Sequence, residues 1–435
     1  MIASQFADLS RRIFPKLQNI VEKEGGERNG ARKRTYLHKT MLRKVYSADQ
    51  KWTSASVDTT YVKADTISMN SPLPIKKRDS LAHASGVLPK QGISRVMEES
   101  DINTINIMRA QGNQWPQIAA KLTNDPLFCS IGLDESNEAN FLTALCEGIV
   151  AVEDLTNVGT ALRVDFGYLP KNGYGVNVPG EITLDDIENV LSAADADGNS
   201  ITTICIASST YKRLRQTQGA KELVATYRGQ TFDSNTSLPT PTASLFDEAF
   251  ADAYNGVKFL KIDRSIISEK DGVRKAYKPW NANRLVYLTT ENVGSLVWGT
   301  LAEKTSPVEG VVYTTVDDMK LISRYRTTNP LTETTAGQML ALTVIEGVDQ
   351  IYYQDITDAQ AVNTTEEAED STDVKITICG NAYKKPEFVA EYNKIASANL
   401  ASTVSDNKLI NAVNRLSDSD EAKLKAAVES HKAIE

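Results

Sequence analysis

Histidine, cysteine and long apolar runs are scarce in this chain, and each scarcity closes off a class of function. The three histidines, His38, His83 and His431, lie far apart, and none has a serine or cysteine beside it in a nucleophile setting. A catalytic triad is therefore not expected. The four cysteines sit widely spaced in apolar settings: Cys129 in LFCSI, Cys146 in ALCEGI, Cys205 in TICIA and Cys379 in ITICG. No pair has metal-ligand spacing, so they read as small buried hydrophobes of a reducing compartment. No apolar run approaches the ~20 residues that cross a bilayer, and MIASQFADLSRRIFPKL lacks the apolar core of a secretory signal. Phosphate-loop and dinucleotide-loop glycine patterns are missing as well. ADADGNS (194–200) half-resembles a calcium loop, but with Gly198 at the loop glycine the first and last ligand positions fall on Ala193 and Ile204. It reads better as a turn that ends a helix. Asp185, Asp186 and Glu188 read as the acidic opening of a helix, where the helix dipole favours them, and not as a metal cluster. No catalytic residue, metal ligand or cofactor is expected, and an enzyme is disfavoured.

What is present is a globular composition: 435 residues, 41% hydrophobic and 24% charged, enough for two to three domains. The net charge of −8 is unevenly spread. Residues 1–51 hold 12 Lys and Arg against five acids, a local balance of +7, which leaves −15 on the rest. Arg11, Arg12, Arg32, Lys33 and Arg34 belong to this basic arm. Its partner is nucleic acid, the acidic surface of a sister subunit, or water alone; charge by itself does not choose.

Residues 46–97 are the most telling stretch. Val57, Thr59, Tyr61, Ile67 and Met69 alternate with polar residues, which is the pattern of a strand with one wet face. Pro72, Pro74 and Pro89 then surround the basic cluster Lys76, Lys77 and Arg78. Loops this long are uncommon in compact domains unless they have a task. An arm that cannot bury a core needs another surface to lie on, and a neighbouring copy of the chain supplies one. Aromatics are not interleaved with the basic residues, so stacking on single strands is disfavoured.

Further along, 93–123 reads as helical with an interruption at Gly112 and Pro116. Phe141, Leu142, Leu145, Ile149 and Val152 fall at helical spacing and predict an amphipathic helix broken near Asn157. A helix opening at Thr183, the buried strand ITTICIA and a second helix capped by Ser208 or Ser209 predict a βα-like unit over 183–228. Strands dominate from 257. Residues 319–326 and 338–345 are expected as long strands joined by the turn TTNPLTETTAG. The acid-rich run 355–373, without Lys or Arg, reads as a linker. A strand followed by helices makes 374–435 a small appended module, with stripes at Leu409, Ile410, Val413 and Leu416 and at Ala422, Leu424, Ala427 and Val428.

Three segments resemble the major capsid proteins of tailed double-stranded DNA phages, in particular the lambda-type E family with the Hong Kong 97 type fold. They are SPLPIKKRDSLAHASGVLPKQGISRVMEESDINTINI, NEANFLTALCEGIVAVEDLTNVGTALRVDFGYL and MKLISRYRTTNPLTETTAGQMLALTVIEGVDQIYYQ. With the unit between them they span about 45–357. The resemblance implies an α+β fold. Residues 1–45 would form an N-terminal arm and 46–92 an extended loop lying on the adjacent subunit, docking through Lys76, Lys77 and Arg78. Residues 93–180 and 310–357 would form a peripheral domain with a spine helix cored by Phe141, Leu142, Leu145, Ile149 and Val152. Residues 181–309 would form the axial domain; 358–373 would be an acidic linker, and 374–435 have no place in a minimal subunit of this kind. Copies would assemble as pentamers and hexamers into an icosahedral virion capsid, built in the bacterial cytoplasm. Scaffolding, portal and decoration proteins would be partners, double-stranded DNA would be enclosed without sequence reading, and no membrane would be involved. A non-viral encapsulating compartment of the same fold, or a tail-tube protein, stands as the alternative.

Overall fold

The computed structural model describes residues 3–24, 36–56, 82–112, 115–152, 162–230, 238–270, 272–360, 375–378 and 381–396, with Val413, Lys423, Leu424 and Ala427. The chain divides into two compact units, Met1–Ala361 and Val362–Glu435.

The first unit begins with helices α1 (Ala7–Ile13) and α2 (Leu17–Glu24), joined by one 3-10 turn. Phe6, Ile13, Phe14, Leu17 and Val21 are all buried. The described part of the expected arm is thus folded onto the body. Each such side chain contributes roughly 1.5–3 kcal/mol by leaving water, which outweighs the freedom of a loose arm. A short turn, α3 (His38–Met41), leads into strand β1 (Leu42–Tyr46). Strands β2 (Lys51–Ser56) and β3 (Ala82–Val87) then pair antiparallel, from Lys51 opposite Val87 to Ser56 opposite Ala82.

The expected helix over 93–123 divides differently. Strand β4 (Lys90–Met97) comes first, because its burial alternates with period two, and helix α4 (Glu99–Gln111) follows with Glu99 and Asp101 in its first turn. Helix α5 (Trp115–Glu147) then runs 33 residues, about 50 Å, straight through Pro126. It stops ten residues before Asn157. Gly148 adopts φ 71° there, a left-handed stop, and the run after it forms β5 (Ile149–Val152), paired with β6 (Leu162–Asp165). Ile149 and Val152 therefore belong to a strand and not to the spine helix. Phe141, Leu142 and Leu145 stay on the helix and are fully buried.

The next layer is α/β. It comprises β7 (Gly173–Val176), α6 (Leu184–Ala196), β8 (Thr203–Ala207), α7 (Ser208–Gln216), α8 (Gln218–Tyr227), α9 (Ala243–Ala253) and β9 (Lys258–Ile262). A hairpin follows, β10 (Ile266–Lys270) with β11 (Val273–Tyr277), and then β12 (Arg284–Leu288). Thr183 and Asp186 form the capping box that opens α6, and Gly198 at φ 79° closes its C-terminal turn, as the sequence predicts. At α7 neither Ser208 nor Ser209 is the cap; Ala207 holds that position without a side-chain bond.

The chain closes the first unit with β13 (Gly294–Gly299), the short α10 (Ala302–Thr305), β14 (Val312–Val316), β15 (Lys320–Thr328), β16 (Leu331–Ile345) and β17 (Ile351–Ala359). Two sheets result. One runs β7-β17-β12-β8-β9; the other runs β1-β13-β16-β15-β14, with β4 also on β16. β16 starts seven residues earlier than expected. The β-branched run Thr332, Thr334 and Thr335 pairs with β15 and β4, so the connection shrinks to Asn329 and Pro330. Helix α5 lies on β16 at Gly337, where a Cβ would sit 2.9 Å from Cys129 and 3.1 Å from Ile322. β17 reaches Ala359, so the acidic linker begins later than the charge pattern predicts.

In the second unit β18 (Lys375–Ile378) pairs with β19 (Asn381–Lys384), and α11 (Lys385–Ala396) follows with Phe388, Val389 and Tyr392 buried. Of the two expected stripes, only Val413 and Leu424, both buried, and Ala427 lie among the described residues.

Candidate functional site

Two neighbouring segments carry the features that relate this chain to other surfaces. The first is residues 36–46, latched to α5. Asp134 and Glu138 lie four residues apart, on one helix face. Glu138 accepts the backbone N–H groups of Leu37 and His38, both at 3.0 Å, and its Oε2 lies 2.7 Å from His38 Nδ1. Asp134 meets Lys39 at 3.1 Å and the fully buried Lys320 at 2.8 Å, with His38 Nε2 3.9 Å away. Lys320 also reaches Asp317 at 2.7 Å. Burial works against the Asp317 carboxylate, but Lys320 and Lys39 outweigh it and hold the group down at about 2. Beside the latch, Tyr36 donates to Glu135, which Arg264 pairs at 2.6 Å. Burial and these carboxylates push the Tyr36 phenol upward.

A second buried cation ties α1 to the same sheet. Arg324 donates to Thr335 Oγ1, Ser10 Oγ and the Leu122 carbonyl at 2.9–3.1 Å. Burial lowers its pKa, with Asp125 and Glu333 opposing.

The other segment is the β2–β3 hairpin. Trp52 and Leu88 are buried at its root, Trp52 sits edge-on to Phe166 at 6.3 Å, and Leu88 N–H bonds Gln50 O at 2.8 Å. Among the described residues the two strands pair beyond that root only with each other, and Val87 is 65% exposed. Lys76, Lys77 and Arg78, in the span between the strands, lie outside the described residues, as do Arg32, Lys33 and Arg34. Arg11 and Arg12 are exposed on α1. Arg11 meets Asp8 at 3.9 Å with both side chains in water, a pair of little energetic weight.

The cysteines lie where apolar settings predict. Cys129, Cys146 and Cys205 are buried and unpaired, and burial pushes the thiols of Cys129 and Cys146 up to about 12. Cys379 lies outside the described residues. Among the described residues no group of three or more His, Cys, Asp or Glu is placed to hold a metal ion, and no helix is long and apolar enough to cross a membrane.

Sequence reasoning missed the latch. Asp134 and Glu138 were visible only as acids along a helix, and Lys320 only as one residue of a strand. The i, i+4 spacing of Asp134 and Glu138 was the available signal; nothing local pairs them with residues 36–39.

No family model and no curated protein matches the chain. Solved structures do. A protein assigned to the capsid of a prophage in E. coli CFT073 has a TM-score of 0.46 at 12% identity, covering 80% of this chain and 98% of its own. The capsid of cyanophage A-1(L) gives 0.44 at 12% identity, covering 77% and 96%. The SrpI encapsulin of Synechococcus elongatus PCC 7942 gives 0.34 at 10% identity, covering 74% and 87%. Two are named as phage capsid proteins and one as an encapsulin.

Proposed function

We propose that the chain is the major capsid subunit of a tailed phage, a structural protein and not an enzyme. The observation that carries this is the β2–β3 hairpin. It is firmly rooted by Trp52 and Leu88, yet both outer strand edges lack a partner among the described residues. An isolated two-stranded hairpin is marginal in water, and open edges invite pairing with another chain. A neighbouring copy is the occupant that an assembly provides. The three sequence segments that resemble capsid proteins support the same reading.

In this reading, pentamers and hexamers close into an icosahedral shell around double-stranded DNA. Lys76, Lys77 and Arg78 dock on the acidic body of the adjacent subunit. Arg11, Arg12, Arg32, Lys33 and Arg34 face the genome or a neighbour. Scaffolding, portal and decoration proteins complete the particle, which forms in the bacterial cytoplasm. Many weak contacts, each repeated around a ring, make the closed shell far more stable than any pair.

Electron microscopy of the expressed protein, with light scattering for mass, tests the proposal. Closed particles or five- and six-fold rings are the expected result. A homogeneous monomer or dimer, even with a scaffolding protein added, overturns it.

A further inference from the structure

Four residues separate β1, which is built into the body, from the β2–β3 hairpin, which leaves it. β1 is held by β13. Its last residue, Tyr46, has its ring 4.7 Å from that of Trp298 and its hydroxyl 3.1 Å from Thr300 Oγ1. The Ser47 N–H extends this contact by donating to Trp298 O at 2.8 Å. Residues 47–51 then form a turn that closes on itself. Ser47 Oγ donates to Lys51 O at 2.6 Å and accepts the Lys51 N–H at 3.1 Å.

Gln50, in that turn, adopts φ 58°. The other non-glycine residues at positive φ among the described residues are Asn255, Asp317 and Asp318. Asn and Asp tolerate the left-handed region because their short side chains bond locally; glutamine lacks that ease. A residue held there persists only where its surroundings over-determine it. Those of Gln50 do. Its carbonyl accepts the Leu88 N–H at 2.8 Å, tying the turn to the chain that leaves β3. Its side-chain amide donates to Thr300 O at 3.1 Å, tying the turn to the body. Gly299 allows this approach, since a Cβ there would lie 3.2 Å from Leu88 Cδ1 and 3.5 Å from Gln50 Cγ. One step into the hairpin, the buried Trp52 ring lies against Gly86, where a Cβ would come within 2.9 Å of Trp52 Nε1. The root therefore fixes the hairpin in direction as well as in place.

We propose, resting on the shell reading above, that residues 47–51, seated on Trp52, are a rigid elbow. Gln50, clamped between Leu88 and Thr300, sets the angle at which the β2–β3 hairpin leaves the subunit, and with it the size to which shells close. An arm that lies on an adjacent copy fixes the rotation from one copy to the next, and that rotation decides whether a ring closes. Glycine would take the same φ freely, so a mere connection between two strands has no use for glutamine here. What glutamine adds is the amide on Thr300 O and the loss of that freedom.

Two substitutions test it in the full-length protein. Gln50→Gly keeps the left-handed backbone accessible but frees it and removes the amide. Gly86→Ala wedges a methyl group against the Trp52 ring. Spin labels at Ser85→Cys on β3 and Asn103→Cys on α4, both exposed positions, read the hairpin's direction in dilute free subunits by pulsed electron paramagnetic resonance. The background carries Cys379→Ser, and Cys129, Cys146 and Cys205 are buried. Both variants are expected to unfold near the wild-type temperature. Gln50→Gly should broaden the label-to-label distance distribution about twofold. Gly86→Ala should displace its peak without broadening it. In electron micrographs Gln50→Gly should give shells of mixed diameter, and Gly86→Ala a uniform population of altered diameter. An unchanged distribution in Gln50→Gly, or an unmoved peak in Gly86→Ala, overturns the elbow whatever the protein assembles into. A broadened distribution with shells of the single wild-type diameter overturns the link from angle to shell size. If the wild-type protein forms no shells while both distributions change as expected, the shell reading falls and the fixed angle of the hairpin stands.

Discussion

Residues 36–46 and residues 51–87 are neighbours in sequence and opposites in how they are held. The first segment is held at its start by its own chain: Glu138 accepts three hydrogen bonds from residues 37 and 38, and Asp134 bridges Lys39 to the buried Lys320. The second is fixed at one end by Trp52 and Leu88, and beyond that its described strands have only each other. A buried charge network tolerates no loss of a member, because the partner left behind stays out of water. An arm stem with open edges has contacts to spare. The first arrangement suits a monomer's stability, and the second suits association.

This contrast can be broken at either end. Asp134→Ala should have the largest effect. It removes the carboxylate shared by Lys39 and Lys320 and should lower unfolding free energy by about 3–5 kcal/mol in urea titrations. Trp52→Ala should cost about 3 kcal/mol by emptying the stem's anchor, and should lower shell yield by more than the latch variant does when both are compared at equal folded fraction. Equal losses of yield would remove the distinction between latch and stem.

Acid should weaken the latch before the stem. The Asp317 carboxylate is held near 2 in the folded protein against an ordinary 3.8. Its pairing with Lys320 is therefore fully present above pH ~4 and is lost as pH falls through about 2. The contribution is roughly 2 kcal/mol, and Asp317→Asn should flatten the stability curve over that window. Thr183→Ala should cost about 1 kcal/mol through loss of the α6 capping box, leaving both segments untouched, and serves as the control for a local effect. Lys76, Lys77 and Arg78 changed together to Glu should shift stability by less than ~0.5 kcal/mol yet leave soluble monomers or capsomers. Unchanged shell yield would remove their docking role.

The elements legible in the sequence were those whose pattern is local. The Thr183 capping box, the Gly198 stop and the apolar helix stripe of Phe141, Leu142 and Leu145 all declare themselves within a few residues. The misreadings share one cause. Ile149 and Val152 continue a helical spacing by coincidence, but Gly148 ends the helix and strand β6 lies ready to pair with them. Thr332, Thr334 and Thr335 look like turn because Asn329, Pro330 and Gly337 flank them, whereas β4 and β15 on either side make them strand. The basic N-terminal segment reads as a free arm because its short stripe of Ile13, Phe14 and Leu17 cannot fold alone; the groove beside α5 and β14 gives it a place.

The sequence by itself determined the α+β class, the order of the main elements, the burial of Cys129, Cys146 and Cys205, and the uneven charge along the chain. These follow from periodicity, capping chemistry and composition, which act over a few residues. Only the tertiary structure decided that Asp134 and Glu138 hold residues 37–39 and that Lys320 and Arg324 are buried cations. Those outcomes depend on side chains tens to hundreds of residues apart meeting in a medium where an unpaired charge is costly, and no local pattern records such a meeting.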